Sequence, residues 1–593
     1  MRLRGLLFLL ALAAAPAQSA APQGAPVATI KTQVRRVLVD VVVTNNKGEA
    51  VTGLRQADFE VLEDGKPQAI ASFEEHHGAA TQPVAVPRMP ANVYTNFPVM
   101  QTTDSVNVLL LDALNTPASD QVFVRSEMIK YLTTIPAGTR VAIFTLASQL
   151  RMLQGMTTDS SVLLAVLKNP KAWPQPSLLL RSDVEKDADQ RRIDFMVQEQ
   201  QGPVPQDPAA ALNTPDPINA AREFLHDTDT FQAEERIGLT LQALEQLGRY
   251  LSGIPGRKNV IWFSGAFPDG ILPDSDLTDP FKGIHSFQDQ VRRTTDLLAT
   301  AQVAIYPVAA EGLVSDSQFQ TNNREISQRR AARQAQDEIH AMRNEEADRN
   351  SAHGVMETLA QNTGGKAFYN TNGLGDALAR VVNNGTRYYS LTYAPSNGTM
   401  DGKFRRIQVK LTGAKGALEY RRGYYAEEDK AGPASPKADF DPLLALMGRN
   451  LPDYSQILFK VLVVPVDPQP APDAKRAGSN PDLKGPFTRY RVDFAISVPD
   501  LKIDLGPDGT HRGNIEVALV AYDREGKPLN FAVTKGDLLL QPKVYADMQK
   551  VGLQMRKEID VPKEYVFLRS GVYDFRAGTA GTLGVPLSDA VAK

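Results

Sequence analysis

The chain has 593 residues, 42% hydrophobic and 22% charged, with 65 Lys and Arg against 68 Asp and Glu and a formal net charge of −3. This length exceeds one hydrophobic core and implies about two to four domains, while the near-neutral balance gives no bulk reason to expect nucleic-acid or anionic-membrane binding. The chain contains no cysteine, which excludes disulfides, thiolate metal sites, thiol nucleophiles and a cysteine-linked lipid anchor.

In chain order, Arg2 and Arg4 precede an apolar run from Gly5 to Ala15, followed by the small-residue step Ala17-Gln18-Ser19. That is the layout of a secretory signal over residues 1–20, too short to span a bilayer. Export to the periplasm, outer surface or medium is therefore expected, with no transmembrane span in the mature chain. Residues 33–78 read as strands: Val37, Val39, Val41 and Val43 alternate on one face, and Asp64-Gly65 marks a hairpin. This segment is too small to form a stable sandwich alone. Residues 81–104 contain prolines and read as a linker.

From 104 to 385 the pattern alternates β and α. Val106–Leu111 ends at Asp112 as a strand buried on both faces. A helix over 120–135 and a strand over 140–146 follow, with a third, short strand over 151–156. A Pro- and Asp-rich insertion over 170–232 reads as partly irregular. Then come a helix over 235–251, the strand Asn259–Ser264, a helix over 287–301 and the strand Val303–Val308. Residues 324–360 read as one long helix with a solvated charge run over 329–349. Residues 386–427 are all-β again, and after a linker at 433–442 the stretch 440–593 carries short strands that suggest a second β-sandwich. The Gly-rich run Gly578–Gly584 reads as a turn. Orphan strands on both sides of the α/β block motivate one sandwich shared by 33–78 and 386–427, with the block inserted between them.

The order strand-Asp112, helix, strand, helix, Pro255-Gly256-Arg257-Lys258-Asn259-Val260-Ile261-Trp262-Phe263-Ser264, then Ile305-Tyr306-Pro307, resembles a von Willebrand factor A-like (vWA) domain. More narrowly, it is similar to the Acidobacterial VWFA-related family of exported proteins. The supporting marks are Asp58-Phe59-Glu60-Val61, Glu63-Asp64-Gly65, Thr363-Gly364-Gly365, Tyr388-Tyr389-Ser390-Leu391-Thr392-Tyr393, Asp401-Gly402-Lys403 and Arg421-Arg422-Gly423-Tyr424-Tyr425. The likeness covers roughly residues 33–427. It implies a multidomain α/β plus all-β protein, with a doubly wound, mostly parallel vWA-type sheet flanked by β-sandwich domains. In such sheets ligands sit outside the carboxyl ends of the strands.

In many vWA domains the aspartate after the first strand opens an Asp-x-Ser-x-Ser motif that holds a divalent cation. A loop threonine and a second aspartate complete that site, whose open position accepts a partner's carboxylate. The resemblance therefore implies Asp112, Asn115, Thr116 and Thr240 as candidate ligands for Mg²⁺ or another divalent cation. Leu114 stands where the first serine belongs and Gly265 where the second aspartate is expected; Asp269 is close enough in sequence to substitute. Mg²⁺ wants near-octahedral oxygen coordination, typically with one or two carboxylates, so this set makes a weak cage. Two readings of Asp112 stand side by side: an altered cation site, or an acid that caps a helix.

No catalytic motif is present. The seven histidines form no H-E-x-x-H arrangement, and the chain has no G-x-S-x-G elbow and no phosphate-binding glycine loop. His76-His77 on a strand would point to opposite faces. The expected function is binding of an unidentified protein partner, or scaffolding, at the cell envelope. The alternative is an exported hydrolase or envelope-processing enzyme that uses the vWA domain for docking, with His511 as the histidine to watch.

Overall fold

The computed structural model describes residues 36–77, 89–98, 105–136, 138–170, 173–174, 177–199, 217–265, 287–310, 353–369, 374–427, 441–467, 476–563 and 566–587. The expected export signal, Asp269 and the charge run at 329–349 lie outside these residues. The chain is a multi-sheet α/β protein with extensive additional β structure.

The apolar run of the first α/β strand, Ser105–Asp112, is buried at every position. It lies at the centre of a five-stranded sheet in the order Val303–Ala309, Arg257–Ser264, Ser105–Asp112, Val141–Leu146, Leu150–Thr157. The first four run parallel, whereas Leu150–Thr157 is antiparallel to its neighbour and closes the edge. Alternation along each strand sends side chains to two separate cores. Val108, Leu110, Val260 and Trp262 meet Leu241, Leu244 and Leu247 of the helix Pro217–Ser252 and Leu298 of the helix Gln288–Thr300. On the other face Leu109, Leu111, Ile261 and Phe263 meet Val124 and Met128 of the helix Ala118–Thr134, Leu163 of Ser160–Lys168 and Val381 of Leu374–Gly385.

Strands from either side of this block pair with one another. Val37–Thr44 and Ile70–His76 flank Tyr388–Tyr393, each antiparallel to it, and Phe59–Glu63 pairs with Phe404–Leu411. Val39, Val41, Val61, Tyr389, Leu391, Ile407 and Val409 share one core. Asp64 and Gly65 both have positive φ (48° and 79°), as a two-residue hairpin turn whose twist matches its strands requires. Glu63, 3% exposed, accepts hydrogen bonds from the Tyr393 hydroxyl at 2.8 Å and the Tyr424 hydroxyl at 3.0 Å. A carboxylate so far from water needs such donors, and these come from 330 residues or more downstream.

The two motifs nearest the joint are structural. Arg257, 2% exposed, donates to the Gly364 carbonyl at 2.7 Å and the Tyr306 hydroxyl at 3.1 Å, while its own amide donates to the Tyr388 hydroxyl at 3.1 Å. Lys258 donates to the Ile254 carbonyl at 2.8 Å, and burial pulls its ammonium down to about 8. In Thr363-Gly364-Gly365, the Thr363 hydroxyl accepts from the Ile305 amide at 3.0 Å. Gly364 turns with φ +81°, and a Cβ on Gly365 would lie 1.9 Å from the Ile305 carbonyl oxygen. Only glycine lets this loop lie so close to the sheet.

The C-terminal part packs two sheets around Val461, Val492, Phe494, Val517, Leu519, Ile559 and Val572. Two sequence expectations change here. Within the expected 81–104 linker, Val93–Thr95 forms an edge strand on Lys460–Leu462, and the buried Asn96 side chain donates to the Tyr454 and Ile457 carbonyls at 2.8 Å each and accepts from the Phe459 amide at 2.8 Å. An otherwise open strand edge is covered in this way. The Gly-rich run expected as a turn is largely the strand Thr579–Pro586. Its glycines allow close approach: a Cβ on Gly581 would sit 2.1 Å from the Ile457 carbonyl oxygen.

Candidate functional site at the crown of the parallel sheet

Asp112 ends the central strand, so its carboxylate lies at the carboxyl edge of the sheet. The fold brings all four candidate residues together there. The Asn115 backbone amide donates to Asp112 Oδ1 at 3.0 Å, as an acid at a strand-helix junction permits. The Asn115 side-chain amide donates both to Asp112 Oδ2 at 2.9 Å and to Thr240 Oγ1 at 2.8 Å. Thr240 in turn donates to the Arg236 carbonyl at 2.7 Å. Thr116 Oγ1 accepts from the Gly265 amide at 2.9 Å.

These residues form no open rim. Asp112 and Thr240 are 0% exposed, Asn115 2% and Thr116 1%, so these four side chains offer a partner no surface of their own. Burial pushes the Asp112 carboxyl above its ordinary value, and hydrogen bonds from Asn115 and Ser264 oppose that shift.

Two members of the cluster were not singled out from sequence. Ser264 donates to Asp112 Oδ2 at 2.8 Å. Arg236 places Nη1 3.4 Å from Asn115 Oδ1, and its Nε has no hydrogen-bond partner among the described residues. Burial lowers the Arg236 guanidinium, whereas the charges of Asp112 and Asp229 hold it up. A signal for Arg236 existed: it lies four residues before Thr240 on one helix, hence on the same face. Ser264 left no comparable trace, being joined to Asp112 only across the sheet.

The donor set fits a divalent cation poorly. Mg²⁺ needs oxygen lone pairs converging at about 2.0–2.1 Å, yet the Asp112 and Thr240 oxygens both face the Asn115 N–H groups. Where a second acid is expected, a Cβ on Gly265 would come within 2.7 Å of the Asn115 carbonyl oxygen and 3.2 Å of Thr116 Cα. No side chain fits at that position without displacing the loop. Among the described residues no group of three or more His, Cys, Asp or Glu is placed to hold a metal. His511 stacks face to face on Tyr545 with ring centroids 3.8 Å apart.

Above this buried crown the insertion is more helical than its composition suggests. Its described part includes the helix Asp183–Glu199 and the start of the 36-residue helix Pro217–Ser252. Residues 217–239 precede the contact at Thr240, a run of roughly 35 Å at about 1.5 Å per residue. Arg181 ties the two helices together, bonding Asp189 on one and, at 2.9 Å, Asp229 on the other. Ile193, Ile218 and Ala233 are buried, whereas Phe195 is 61% exposed, Phe224 70% and Phe231 60%. Phe224 and Phe231 are seven residues apart, two turns along one helix face.

No protein-family model and no curated protein matches the chain. Among solved structures it is similar to an aerotolerance-related membrane protein from Bacteroides fragilis NCTC 9343, at 10% identity and TM-score 0.21, over 47% of this chain and 98% of that one. It is also similar to the conserved hypothetical protein BatB from Bacteroides thetaiotaomicron, at 9% identity and TM-score 0.20, again over 47% and 98%. A third is the pilus adhesin SpaC from Lactobacillus rhamnosus GG, at 8% identity and TM-score 0.22, over 82% of this chain and 54% of the adhesin. Overlaps this low decide nothing about the chain's fold or role. Among the described residues no helix is long and apolar enough to cross a membrane.

Proposed function

We propose that the chain is an exported protein-binding or scaffolding protein whose α/β block is a vWA-type domain with an altered cation site. The parallel strands with helices on both faces, and an acid at the tip of the central strand, support the vWA reading. The observation that carries the binding role is the helical pair beyond the sheet's carboxyl edge, with Phe195, Phe224 and Phe231 turned to solvent. Exposed aromatics carried by a pair of linked helices mark an interaction surface, because burying each ring against a partner contributes about 1.5–3 kcal/mol. The contact surface is therefore assigned to the insertion and not to Asp112.

The test is capture of envelope proteins by the immobilised mature chain and by Phe224→Ser/Phe231→Ser. A specific partner retained by the wild type and lost by the variant, with unchanged thermal unfolding, supports this reading. Equal capture by both chains refutes it.

A further inference from the structure

The polar cluster at the crown holds its positive charge within the chain. We propose that the Asn115 amide, backed by the Arg236 guanidinium, occupies the position of a divalent cation, making the crown a permanently closed, metal-independent lock between helix and sheet.

Three observations carry this. The Asn115 side-chain nitrogen lies between Asp112 Oδ2, at 2.9 Å, and Thr240 Oγ1, at 2.8 Å, the oxygens that would share an ion. Its orientation is set from both sides: Thr240 spends its proton on the Arg236 carbonyl, and Arg236 Nη1 faces Asn115 Oδ1 at 3.4 Å. Turning the amide over would set oxygen against oxygen and N–H against N–H. The Arg236 guanidinium reaches the cluster at Asn115 Oδ1, from where its charge favours the buried Asp112 carboxylate through space.

The second acid's position is closed as well, since Gly265 has no room for a Cβ between Asn115 and Thr116. An ion-dependent crown can open and close with its ligand. This one ties the Pro217–Ser252 helix to the sheet through side chains that cannot dissociate. The helix that carries Phe224 and Phe231 is thereby fixed without a cofactor. The lock itself does not depend on the partner-binding reading, and its test needs no partner.

The experiment is thermal unfolding of the full mature chain in EDTA and in millimolar Mg²⁺, Mn²⁺ or Ca²⁺, for the wild type, Asp112→Ala and Asn115→Asp. The wild type is expected to keep its Tm within about 1 °C in all conditions. Asn115→Asp replaces the amide by a second carboxylate, and is expected to gain about 3 °C or more in Mn²⁺ through ligand linkage. If Asn115→Asp does not fold in EDTA, its recovery in Mn²⁺ is the readout. A metal-dependent rise in the wild type that Asp112→Ala abolishes would overturn the lock. So would an Asn115→Asp chain that none of the three ions stabilises or rescues.

Discussion

Glu516 offers a quantitative handle on the C-terminal part. It is 0% exposed in the strand His511–Tyr522 and lies opposite Lys535, whose ammonium is 3.7 Å from Glu516 Oε1 and 3.1 Å from Asp441 Oδ2. Burial, then the proximity of Asp441, pushes the Glu516 carboxyl up to about 8, with Lys535 opposing. At neutral pH Glu516 keeps its proton beside Asp441, which is held low partly by the Leu444 amide. The folded chain thus binds a proton that the unfolded chain releases near its ordinary value of 4.5. The stabilisation is complete below that value and is lost as pH climbs to about 8.

At about 1.4 kcal/mol per pKa unit the ceiling is roughly 5 kcal/mol. Asp441, which adds to the upward shift, is 20% exposed, so solvent screening of its share reduces the expectation to about 2 kcal/mol. Glu516→Gln cannot titrate, and its neutral amide matches the protonated acid in size and in charge. Scanning calorimetry from pH 5 to 9 should show the wild-type transition falling by about 4 °C or more relative to the variant. The variant is expected to be the more stable chain at pH 9. Parallel Tm curves for the two proteins across that range would refute the buried-acid account.

Two further outcomes follow from single contacts. Asp112→Ala removes the acceptor of the Asn115 backbone amide, one of the two acceptors of the Asn115 side chain and the Asp112 bond of Ser264 Oγ, and should cost about 3–5 kcal/mol in urea unfolding; a cost below about 1 kcal/mol would show that the crown is not tied as described. Gly365→Ala drives a methyl group to 1.9 Å from the Ile305 carbonyl oxygen and should cost about 3 kcal/mol, and an unchanged urea midpoint would contradict that packing.

Much of the local structure was legible because it depends on short-range rules. The apolar run before Asp112, the valine alternation at 37–43 and the Asp64-Gly65 turn each declare their conformation within a few residues. The candidate set Asp112, Asn115, Thr116 and Thr240 does assemble, though as a buried network. The strands Val93–Thr95, inside the expected linker, and Thr579–Pro586, over the expected turn, escape these rules for one reason. Proline, glycine and asparagine weaken a strand's local signal, and pairing with a distant edge overrides it.

Sequence alone determined the element types and their chain order over the described α/β block outside the insertion, and the exclusion of thiol chemistry. Tertiary structure alone decided what Asp112 does. Its partner Ser264 lies 152 residues downstream, and Thr240, which shares the Asn115 amide with Asp112, lies 128; whether a carboxylate meets solvent, an ion or an amide depends on atoms that only folding brings within 3 Å. Periodicity reports which face of an element is apolar; it carries no information about what closes over the end of a strand.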